Sequence, residues 1–317
     1  FANNSSGTVG GAITGQNIDL HGGQFEFRDN TSRADGGAIW AYPRFTLDSN
    51  SIFNNNQSTT GFGGAIATNT LHLSGGISEF NDNTAEKGGG AIYSESIITD
   101  LGWEGHYTFT GNKSNSGAGG AIFTDTSLHI IADALTFESN ISDSSGGAIY
   151  SKDDITLDGF GAAPSFTDNS SGTVGGAIAG ININLRGNSI YEFITNTSKM
   201  DGGAIHADGS LSIITGNNIY FTKNTSTAGL GGAIAASHIS DMSSEYLHFT
   251  ENYAKAGGAI YTDTDLFIPS ETEFNNNSAD SSGGAIYSKD DIILDGSSTF
   301  ANNSSGTVGG AITGQNI

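Results

Sequence analysis

The tetrapeptide Gly-Gly-Ala-Ile occurs twelve times in this chain, and a Phe-x-x-Asn precedes each copy by eight to ten residues. The copies begin at Gly10, Gly36, Gly63, Gly89, Gly119, Gly146, Gly175, Gly202, Gly231, Gly257, Gly283 and Gly309. The matching phenylalanines are Phe1, Phe27, Phe53, Phe80, Phe109, Phe137, Phe166, Phe193, Phe221, Phe249, Phe274 and Phe300, spaced 25 to 29 residues apart. Self-similarity at this period means a stacked repeat, in which each unit is stable only through its neighbours.

Each repeat carries three short apolar segments separated by turn residues: Phe27 with Asn30, then Gly36 to Trp40, then Phe45 to Leu47. The second and third alternate apolar and polar residues, a strand period rather than a helix period. The pattern predicts an all-β fold, a right-handed parallel β-helix of about 12 coils of 25–29 residues with three short strands per coil. At ~4.8 Å per coil the rod is on the order of 55 Å long. The residues Phe27, Asn30, Ile39, Phe53, Asn56, Ile66, Phe166, Asn169 and Ile178 exemplify the structural ladder. Phenylalanines stack in the core, isoleucines point inward, and asparagines bond turn to turn. The paired glycines suit a corner that needs positive φ or close approach of coils.

Residues 1–18 and 300–317 are identical, and 142–159 nearly match 279–296. Residues 31–39 resemble 197–205. We therefore read 1–317 as one continuous β-helix, a window on a longer tandem array whose 299-residue block spans 1–299 and restarts at 300. Such arrays serve as stalks, spacers or fibres.

The formal charge of −22, with 11 Lys and Arg, removes the clustered cations that nucleic acid or an anionic membrane would need. No apolar run approaches the ~18 residues of a membrane helix. Without cysteine, no disulfide staples the fold. The acidic, Asn/Ser/Thr-rich composition points to an extracellular or cell-surface location.

Paired Gly-Gly-Ala-Ile and Phe-x-x-Asn repeats are the hallmark of the polymorphic membrane proteins (Pmp) of chlamydiae, and the chain resembles that family over all twelve coils. The resemblance implies a β-helical passenger that works as an adhesin or surface fibre. In the family a C-terminal outer-membrane barrel exports the passenger.

Catalytic, cofactor-binding and metal-binding residues are not expected. The best acidic clusters, Lys152-Asp153-Asp154 and Lys289-Asp290-Asp291, are duplicates of one another and read as solvated turns. Calcium at turn acids such as Asp263 and Asp265 is the one cofactor option, without the Gly-Asp spacing of calcium-binding nonapeptide repeats. The seven histidines lack metal-ligand spacing.

The residue after each Gly-Gly-Ala-Ile should point outward, sharing a flat face with the preceding Ala. Trp40, Tyr93, Phe123, Tyr150, His206, Tyr261 and Tyr287 occupy this position and form a candidate aromatic interaction strip. The strip stacks along the rod, packs on a laterally associated copy, or meets a receptor or glycan. Trp103, His106 and Phe160 belong to two longer connections, where binding is readily grafted. The reading is a non-catalytic extracellular fibre or stalk with neighbouring repeats as its partners. A receptor- or glycan-binding autotransporter passenger is the alternative, and a polysaccharide lyase or hydrolase a distant third.

Overall fold

The computed structural model describes residues 1–99, 105–269 and 271–317. Among them every regular element is a strand, every strand pairing is parallel, and successive coils stack into a β-solenoid. The three expected strands per coil lie in one 25-stranded sheet, apart from a small pair near the end, Leu266–Ile268 with Ile292–Leu294. A fourth segment of two residues, such as Thr31–Ser32, follows each ladder Asn and builds a separate 12-stranded sheet. In places the expected strands fuse, as in Ile39–Asn54, which runs from one Gly-Gly-Ala-Ile to the next phenylalanine.

The interior is a set of single-residue columns. Phe27, Phe53 and Phe166 are fully buried, as are Ile39, Ile66 and Ile178. From Phe1 to Phe300 successive rings stack nearly parallel with centroids 4.7–5.0 Å apart. The strand spacing of parallel coils imposes that distance. Each buried ring contributes roughly 1.5–3 kcal/mol of burial, and each stacked pair about 0.5–1.5 kcal/mol beyond it.

The asparagine column satisfies every polar atom it buries. Asn56 Nδ2 donates to Phe27 O in the preceding coil and to Asn83 Oδ1 in the following one, both at 2.9 Å. Its Oδ1 accepts from the amide and side chain of Asn30. One side chain thus ties three coils together. Asn30 and Asn169 repeat the arrangement, and all three are fully buried.

Two backbone devices make the corners. The residue before each ladder Asn has φ near +55°, whatever its type: Asp29, Asn55, Ser139, Thr195, Lys223 and Glu251 all adopt it. The two glycines then divide the labour. The first, Gly36 for example, has φ of +67°. The second approaches the next coil so closely that a Cβ on Gly37 would lie 1.9 Å from Gly64 O. The following Ala and Ile are both fully buried. Their amides share one acceptor, Ala38 and Ile39 both donating to Ala65 O, and this kink turns both side chains inward. The Ala therefore belongs to the core rather than to the outer face.

Candidate interaction surface

The residues after Gly-Gly-Ala-Ile form one in-register column: Trp40, Ala67, Tyr93, Phe123, Tyr150, Ala179, His206, Ala235, Tyr261 and Tyr287. The column points away from the core but is recessed. Phe123 and Tyr261 are buried, while Trp40, Tyr93, Tyr150, His206 and Tyr287 are half-buried.

The cause lies in the residue just before each Gly-Gly-Ala-Ile. Where the column residue is Ala or Thr, that residue is bulky: Val9, Phe62, Val174, Leu230 and Val308. Where the column residue is aromatic or His, it is small or Asp: Asp35, Gly88, Ala118, Ser145, Asp201, Ala256 and Ser282. These two positions stand side by side and share one layer. A Cβ on Gly88 would meet the Phe123 ring at 2.5 Å, and the Phe62 ring stacks on Tyr93 with centroids 4.6 Å apart. The complementarity is readable over five positions of sequence and would have revealed the recess.

Two related clasps tie the column between coils, differing in whether one aromatic residue or two supply the ring and the hydroxyl. Lys152 Nζ reaches back one coil to Asp125 Oδ1 at 2.5 Å and rides 5.3 Å above the Phe123 ring. Asp125 also accepts the Tyr93 hydroxyl at 2.5 Å. In the second copy Lys289 meets Asp263 at 2.6 Å and lies 5.6 Å over Tyr261, whose hydroxyl donates to Asp263 at 2.7 Å. Partial burial pushes the Asp263 carboxyl up, but the hydrogen bonds from Lys289 and Tyr261 outweigh it and hold the group below its ordinary value. Burial raises the Tyr93 hydroxyl, and its hydrogen bond to Asp125 and then the charges of Asp125, Glu95 and Asp35 raise it further.

The adjacent acids serve turns. Asp153 accepts Ser127 Oγ at 3.0 Å, and Asp154 accepts the Asn182 amide at 2.8 Å. Among the described residues no three His, Asp or Glu side chains converge on a possible metal position. His106 pairs with Asp133 at 3.0 Å on the flank, and Phe160 is exposed in its loop. Trp103 lies outside the described residues. His106 and Phe160 are not brought together with the column.

Among the described residues, concavities open on the surface at two places of note. A groove of about 510 Å³ lies outside the phenylalanine strand, between Glu26 and Glu79, with Ile52 and Ile77 exposed in it. A notch of about 70 Å³ lies on the column itself at Ala67, walled by Trp40, Tyr42 and Tyr93 with Asp35 and Glu95. The Trp40 and Tyr42 rings stack with centroids 6.0 Å apart.

The Chlamydia polymorphic membrane protein repeat matches this chain in six places, residues 77–95, 107–125, 134–152, 218–237, 247–263 and 271–289. The chain is 36% identical over 308 residues to the probable outer membrane protein pmp6 of Chlamydia pneumoniae, covering 87% of this chain and 22% of that protein. It is 29% identical over 278 residues to pmp7 of the same species, covering 78% and 27%. It is 29% identical over 252 residues to PmpG of Chlamydia muridarum, covering 73% and 24%. The chain thus spans less than a third of the length of each of these relatives. No solved structure matches it. The repeat, its stacking and these likenesses agree: the chain carries the polymorphic membrane protein repeats of Chlamydia and resembles the outer membrane proteins built from them.

Proposed function

We propose that this chain is a segment of a cell-surface rod, a non-catalytic β-solenoid that holds outward side-chain columns away from the membrane and adheres through them. The observation that carries the reading is the unbroken stack of phenylalanine rings and asparagine amides from end to end. A rod held together by such a column is stiff, and it leaves the outer positions free to vary. The names of the relatives, outer membrane proteins, support a surface location. Their greater length fits a passenger that forms part of a larger exported protein.

Beads coated with the purified chain test the adhesive half. Adhesion to epithelial cells above that of beads coated with an unrelated protein of equal negative charge supports it, and equal adhesion rejects it. Hydrolysis or cleavage of a polysaccharide panel by the same preparation would reject the non-catalytic half.

A further inference from the structure

The aromatic column has a recurrent electrostatic habit. At Phe123 and Tyr261 a lysine of the next coil lies over or beside the ring and pairs with an aspartate, so ring and carboxylate hold one cation between them. The notch at Ala67 has the same two ingredients. Its walls are Trp40, the stacked Tyr42, and Tyr93, and its acids are Asp35 and Glu95. None of the residues that line it is a lysine or arginine. Lys87 lies nearby, 5.5 Å over the Phe62 ring behind Tyr93, but it does not line the notch. Three aromatic and two acidic side chains therefore line a space that no cationic side chain lines.

We propose that this notch binds a compact quaternary ammonium head of the choline type. The room, about 70 Å³, is that of a few water molecules, which suits a head of about five heavy atoms. A methylated ammonium is preferred over a lysine because its methyl groups give up little hydration against ring faces, whereas a primary ammonium is strongly hydrated and needs acceptors for three N–H groups. One oxygen of Asp35 is already committed, accepting the Phe62 amide at 2.8 Å. The acids then supply long-range attraction and the rings supply contact. The site is defined by its own chemistry and does not depend on whether the rod adheres to cells.

The near-copy of this region supplies the control. Its equivalents of Trp40 and Tyr42 are His206 and Asp208, which pair with each other at 3.0 Å, and its equivalent of Tyr93 is Tyr261, already under Lys289. A choline chloride titration, with sodium chloride held to constant ionic strength, is followed by Trp40 fluorescence in a Trp103→Phe background. Saturable quenching is expected, with binding about tenfold weaker in Tyr42→Ala and weaker for ethanolamine than for choline. Tyr42 is 51% exposed, so this variant keeps the fold, and circular dichroism checks it. The double change Trp40→His with Tyr42→Asp, read by calorimetry, should abolish binding. The proposal is overturned if choline shows no saturable binding, if Tyr42→Ala binds as tightly as the parent, or if ethanolamine binds as well as choline. It is equally overturned if a monosaccharide binds the notch and displaces choline.

Discussion

Residues 30–42 and 196–208 are two versions of one segment, and their insides and outsides have diverged very differently. Inside, their corners and buried columns keep the same dihedrals and hydrogen bonds. Gly36 and Gly202 have φ of +67° and +68°. Asp35 and Asp201 each accept the amide of the residue before the next Gly-Gly-Ala-Ile at 2.8 Å. Thr59 and Thr227 each donate to the carbonyl of Ser32 or Ser198 at 3.2 Å. Outside, a stacked Trp40 and Tyr42 in one copy becomes a His206–Asp208 pair in the other. The strand spacing dictates the interior, because each buried group must meet its counterpart one coil away. It constrains the outer column less, where each residue fits the one five positions before it and its ring neighbours one coil away without having to match them in kind. In such a chain function can change by surface substitution while the rod stays the same.

The largest effect should come from the second glycine of each corner. Gly37→Ala and Gly203→Ala each place a Cβ 1.9 Å from a carbonyl oxygen of the next coil. Each should cost about 3–5 kcal/mol in denaturant unfolding, equally in the two copies. Unequal costs would break the equivalence of the interiors.

Next come Asn56→Ala and Asn224→Ala. Each removes a side chain that makes four hydrogen bonds to neighbouring coils. A loss of about 3 kcal/mol is expected for each, with the two values agreeing to about 0.5 kcal/mol.

A smaller effect belongs to the clasp of the second copy. The Asp263 carboxyl titrates below its ordinary 3.8 in the folded rod. Its contribution is therefore present above that value and is lost as pH falls through the folded pKa. Asp263→Asn should lower the melting temperature at pH 7 and leave it unchanged near pH 2. An equal drop at both values would show that packing rather than charge makes the clasp.

The smallest effect separates the corner residues before the ladder asparagines. Asp29 and Thr195 occupy equivalent positions with φ of +54° and +55°. A β-branched residue is strained there, whereas Asn and Asp tolerate it. Thr195→Asn should gain up to about 1 kcal/mol, and Asp29→Asn should be close to neutral.

The sequence shows the interior almost completely, because Phe27, Asn30, Ile39 and their repeats obey one period and each has a single chemical role. Other features were harder to see. The positive-φ corner is hidden because Lys223 and Glu251 occupy it, and neither is a turn-forming residue type. The fourth strand is two residues long, too short to show a period. The inward Ala follows from a shared carbonyl acceptor, which alternation cannot predict. The recess of the aromatic column is encoded in pairs such as Phe62 with Ala67, a volume match that a search for identical residues passes over. The notch depends on Tyr42, a residue outside the repeat motif altogether.

The central claim is that the repeat strands of successive coils stack in a fixed register, interrupted by local bulges such as the one between Ala41 and Arg44. The chain has no cysteine, so disulfide trapping reads that register without background. Glu79 and Thr108 are register partners on adjacent coils, whereas Thr110 is paired with Asn81. The double variant Glu79→Cys with Thr108→Cys should cross-link under mild oxidation, and Glu79→Cys with Thr110→Cys should not. The opposite preference, or equal cross-linking of both pairs, would contradict the account.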